Sequence, residues 1–73
     1  MTLQEIKEKV NNNIGNDVVI RCNLGRNKYE KYRAKIKETY KNIFIAELVD
    51  NDSVSIKSFS YIDVLTKMIK IDY

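Results

Sequence analysis

The sequence predicts a mainly β domain: a small five-stranded barrel of the SH3-like or Sm-like kind with one N-terminal α-helix. Three observations predict it. Apolar residues recur at helical spacing only before Gly15, they alternate with polar residues from Val18 onward, and tight polar turns divide that second stretch into short segments. The chain of 73 residues has room for one domain (1–73) with one modest core.

Residues 2–14 are expected to form the helix. Thr2-Leu3-Gln4-Glu5 fits a capping box, in which a hydroxyl and a carboxylate each satisfy an otherwise unpaired backbone N–H. Leu3, Ile6, Val10 and Ile14 then draw one apolar stripe, Asn11-Asn12-Asn13 weakens the last turn, and Gly15 offers a C-terminal cap. So short a helix needs a surface on which to lay its stripe.

The barrel is expected over 18–73. Val18, Ile20 and Cys22 alternate with Val19, Arg21 and Asn23 in the first strand, and Leu24-Gly25-Arg26-Asn27 turns the chain. In the second strand, Tyr29 to Lys37, the residues Tyr32, Ala34 and Ile36 oppose Lys31, Arg33, Lys35 and Lys37. Tyr40-Lys41-Asn42 turns into an apolar third strand, Ile43 to Val49. Asp50-Asn51-Asp52 closes a hairpin, and Val54, Ile56 and Phe59 form a fourth strand with a bulge expected near Ser58. Tyr61 to Thr66 reads as one helical turn with Asp63 helping to cap it, and Lys67 to Tyr73 as a last strand. Five short strands predict closure, because an open sheet of this size leaves edges bare.

The composition argues against catalysis. There is no histidine, so the commonest general base and the triads built on it are missing. With two glycines the chain has no phosphate-binding loop, and neither G-x-x-x-x-G-K-[ST] nor G-x-G-x-x-G occurs. Cys22 is the only cysteine, so no disulfide forms within the chain, and it reads as a small core residue. Asp50 and Asp52 sit two apart in a turn, too few ligands for a metal site. No cofactor is expected. The longest apolar run, Ile43-Phe44-Ile45-Ala46, is far below the ~20 residues of a membrane helix. Met1 to Lys9 lacks the apolar core of an export signal, which predicts a cytoplasmic protein.

A binding surface is the remaining option. Between Gly25 and Lys41 lie seven cations, Arg26, Lys28, Lys31, Arg33, Lys35, Lys37 and Lys41, against Glu30 and Glu38, while the whole chain carries only +3. Lys31, Arg33, Lys35 and Lys37 share one strand face about 6.5–7 Å apart, with Tyr29 in line. Such a ladder suits an acidic protein surface or a phosphate backbone. It also suits a solvated strand whose lysines block edge pairing, and the dominance of lysine among the basic residues is the bias of an AT-rich bacterial genome. Self-association by strand pairing is a third option.

The order of residues resembles the Veg family, small proteins of Gram-positive bacteria associated with biofilm formation and sporulation. The resemblance runs through Leu3-Gln4-Glu5-Ile6-Lys7, Ile14-Gly15, Asn23 to Lys28 and Glu38-Thr39-Tyr40. It is most distinctive at Ser60-Tyr61-Ile62-Asp63-Val64-Leu65-Thr66. Leu24-Gly25 departs from the family's paired glycines. The resemblance implies a small barrel, a non-enzymatic cytoplasmic role, and regulation of extracellular-matrix genes through a protein partner, a transcriptional repressor. It carries no catalytic residues. A nucleic-acid-binding module using the strand 26–37 is the alternative reading.

Overall fold

The computed structural model describes residues 2–50 and 52–73. The elements run α1 (Leu3–Asn11), β1 (Asp17–Gly25), β2 (Lys28–Thr39), β3 (Ile43–Asp50), β4 (Ser53–Ser60), α2 (Tyr61–Leu65) and β5 (Ile69–Asp72). The five strands form one antiparallel sheet in the order β4-β3-β2-β1-β5.

The capping box forms as the sequence predicts. Glu5 N–H donates to Thr2 Oγ1 at 3.2 Å, and Thr2 N–H donates back to Glu5 Oε1 at 3.2 Å. The helix is shorter than expected. It ends at Asn11, capped by Asn12, and Ile14 is exposed rather than part of the stripe. The asparagine run explains the early stop, since these side chains compete for backbone hydrogen bonds. Gly15 instead takes φ +87° beyond the helix, where its N–H reaches Ile36 O at 2.7 Å and ties the turn to β2.

One apolar cluster fills the concave side of the sheet: Val18 and Ile20 from β1, Ala34 and Ile36 from β2, Phe44, Ala46 and Leu48 from β3, Phe59 from β4 and Ile69 from β5. Ile6 and Val10 of α1 and Tyr61 of α2 complete it. Phe44 is fully buried at its centre, with its ring centroid 5.5 Å from those of both Phe59 and Tyr61.

Ser60, not Asp63, caps α2: its Oγ accepts from Ile62 N–H at 3.1 Å. Two further expectations fail. The first is the bulge near Ser58. The β3–β4 register runs unbroken from Asp50↔Ser53 to Ile43↔Ser60, while the shifts fall at Asn23/Gly25 and Ile36/Glu38. Phe59 shares its face with Lys57, and Val54 and Ile56 point outward and are exposed. Apolar character marked Val54 and Ile56 for the core; the fixed alternation of the strand overrules it.

The second is closure. The sheet is not closed into a barrel, and among the described residues no ladder joins β4 to β5. With four residues, β5 spends its pairing on β1, and α2 carries the chain across the open side. The sheet nevertheless curls: a cleft of about 260 Å³ is lined by Cys22 of β1, Lys57 to Phe59 of β4, Met68, and Ile69 of β5. No helix among the described residues is long and apolar enough to cross a membrane.

Candidate binding face on the convex side of the sheet

The predicted stripe is present on β2, and register shows what surrounds it. Tyr29, Lys31, Arg33 and Lys35 project from the convex face, and the Tyr29 side chain is 63% exposed. Arg26 lies at the β1–β2 hairpin tip and Lys28 begins β2, both exposed. The far end of the stripe is neutralised. Lys35 stands between Asp17 on β1 and Glu47 on β3, and Lys37 Nζ lies 3.5 Å from Glu47 Oε2.

The near end is reinforced by residues the stripe did not include. Arg21 on β1 is directly opposite Lys31 on one side and Lys70 on the other. Three cations therefore form a row across β2, β1 and β5. Like charges in such positions repel, so the row costs stability and its charge attracts an anionic partner. One carboxylate offsets it: Asp72 Oδ2 takes a hydrogen bond from Arg21 Nη2 at 2.7 Å. Between this row and the hairpin lies a depression of about 520 Å³. It is lined by Arg21, Asn23, Tyr29, Lys31, Lys67, Met68 and Lys70, and Lys67 stands at positive φ (65°).

Arg21 and Lys70 each alternate with apolar neighbours, so their outward direction was legible. Their meeting depends on β1 pairing with β5 across the whole chain, which no local pattern states. Of the predicted residues, the fold makes Lys31 part of the row, brings Tyr29 and Arg33 beside it and puts Arg26 and Lys28 at the hairpin end; Lys35 lies in register between two carboxylates and Lys37 is ion-paired to Glu47.

No cluster of three or more metal-ligating side chains occurs among the described residues. Burial pushes the Cys22 thiol up from its ordinary range, away from nucleophilic use; Lys57 pulls it down and Glu30 raises it further. The loop alternative for a cation partly lies outside the described residues, because it spans Asn51.

No curated protein matches the chain. The family model described as "Biofilm formation stimulator VEG" matches residues 1–72, which is nearly the full length and includes the capping box, the basic hairpin and α2. The sequence with its curled sheet and cationic convex face therefore belongs to the Veg family of biofilm formation stimulators.

Proposed function

We propose that this chain is a non-enzymatic, cytoplasmic regulatory protein that supports biofilm formation by docking an acidic surface of a protein partner, a transcriptional regulator, on its convex basic face. The Lys70–Arg21–Lys31 row carries this reading. A purely structural sheet gains by alternating charge signs across its strands, whereas this one aligns three cations in direct register. We read the open, curled sheet as a small barrel of the SH3-like or Sm-like type left unsealed between β4 and β5, a scaffold that holds the row on rigid strands.

The test is a pull-down from native cytosol with nuclease present, comparing the wild type with a variant carrying Arg21→Glu, Lys31→Glu and Lys70→Glu. One protein retained by the wild type and lost from the variant, with far-UV circular dichroism unchanged, supports the reading. Equal retention by both refutes it.

A second reading is favoured by Tyr29. Its exposed ring beside the cations is the arrangement that stacks on a base while lysines follow phosphates. Retention that vanishes with nuclease, together with binding of single-stranded nucleic acid that weakens steeply as salt rises, would make nucleic acid the partner.

A further inference from the structure

We propose that a second copy of this chain pairs with β4, edge to edge and antiparallel, with Ser55 on the two-fold axis. The two edges of the sheet differ. β5 has four residues and two charges, Lys70 and Asp72, and short charged strands are how proteins prevent edge pairing. β4 has eight residues and a single charge, Lys57. That charge is directed to the concave side, its ammonium 5.6 Å from the ring centroids of both Tyr32 and Phe59, and so leaves the rim unguarded.

The phase of the β3–β4 ladder shows what the rim offers. Tyr61 N–H donates to Asn42 O at 3.2 Å, and from there bonded pairs recur at every second residue. Phe59, Lys57, Ser55 and Ser53 thus bond toward β3. The N–H and C=O groups of Val54, Ile56 and Ser58 point away from the sheet. The same two apolar residues carry exposed side chains, Val54 at 60% and Ile56 at 63%, and Val49, opposite Val54, is 50% exposed.

This edge is self-complementary. With Ser55 opposite its own copy, Val54 becomes the bonded partner of the other copy's Ile56, and Ile56 of the other copy's Val54. Lys57 falls opposite Ser53, so no like charges meet. A register centred nearer Ser60 is obstructed, because Ser60 caps α2. Val49, Val54 and Ile56 carry no charge and the charge opposite Ile56 is the carboxylate of Glu47, so an acidic partner gains nothing here, while a second copy satisfies both sets of backbone groups at once. The axis stands perpendicular to the sheet, which places both basic faces on the same side. Their β2 strands lie five strand spacings apart, about 24 Å along the sheet. The dimer is thus bivalent, independently of what the basic face binds.

The experiment places cysteine at single β4 positions in a Cys22→Ser background, under mild oxidation in native buffer. Ser55 occupies a non-bonded position in this register, where facing Cα atoms lie about 4.5 Å apart, within the range of a disulfide. Ser55→Cys is expected to cross-link as a dimer, and Ser58→Cys, which faces a different residue, is not. Sedimentation should show a wild-type dimer, and monomers for Val54→Lys and Ile56→Lys. Should a lysine variant fail to fold, the cysteine pair still decides. A wild type that stays monomeric into the millimolar range, or equal cross-linking at 55 and 58, overturns the proposal.

Discussion

Lys57 on β4 holds its ammonium 5.6 Å from the ring centroid of Tyr32, which lies two strands away on β2. In a flat sheet those strands stand about 9.5 Å apart, and register puts Lys57 level with Ile36, four residues along β2 from Tyr32, so the two side chains would not meet. The contact records the curl that brings β4 over the concave face, and it places a cation near Cys22.

Cys22 reports on that arrangement. Burial raises its thiol, and Lys57 is the group that lowers it. Lys57→Met should slow alkylation of Cys22 at a fixed, mildly alkaline pH, and Glu30→Gln should accelerate it. Both follow from the thiolate fraction. The unfolded chain ionises this thiol first, so the fold keeps its full stability below the ordinary thiol range and loses some as pH climbs from that range through the raised folded value. Alkylation rates indifferent to Lys57 would show that the curl is absent in solution.

The cationic row predicts a conflict between stability and binding. Lys31→Glu places a carboxylate opposite Arg21, replacing a repulsive pair with an attractive one. It should stabilise the fold by about 0.5 kcal/mol at low salt. The same change should weaken retention on a polyanionic column. Thermal melts at two ionic strengths, set beside the elution salt, check both halves.

Thr2→Ala removes the hydroxyl that accepts Glu5 N–H, and should cost about 1 kcal/mol in a denaturant titration without changing the slope. The Glu5 carboxyl is held below its usual range, first by the backbone N–H of Thr2 and then by the Thr2 hydroxyl. A lowered carboxyl stabilises the fold above its unfolded value, and that contribution fades as pH falls through the folded one. In the Thr2→Ala variant the acid-side loss of stability should be shallower.

Phe44→Ala tests whether the core is a single unit. The ring touches Phe59 and Tyr61 and thereby joins β3, β4 and α2. Its loss should cost about 3–5 kcal/mol, as large as the whole stability of many domains this small. Loss of the cooperative melt is the expected result. A sharp transition shifted by only a few degrees would mean that the three elements do not depend on this ring.

Much of this molecule was legible in its residues. The capping box at Thr2 and Glu5, the period-two strands, the helical turn after Ser60 and the outward stripe on β2 are local: each depends on neighbours a few positions away, and backbone sterics and short-range hydrogen bonds decide them. Two misplacements were local as well. The asparagine run ended α1 early, and hydrophobicity suggested a bulge that the unbroken ladder of β4 refused.

What the tertiary structure alone decided is which distant segments meet. The pairing of β1 with β5 set Arg21 between Lys31 and Lys70 and turned a one-strand stripe into a two-dimensional basic face. The shortness of β5 left the sheet unsealed, and the ladder phase sent Val54 and Ile56 to an unguarded edge. Strand pairing between segments far apart in sequence is chosen by the free energy of the whole core, so side-chain spacing within one strand reveals a face but not its neighbours.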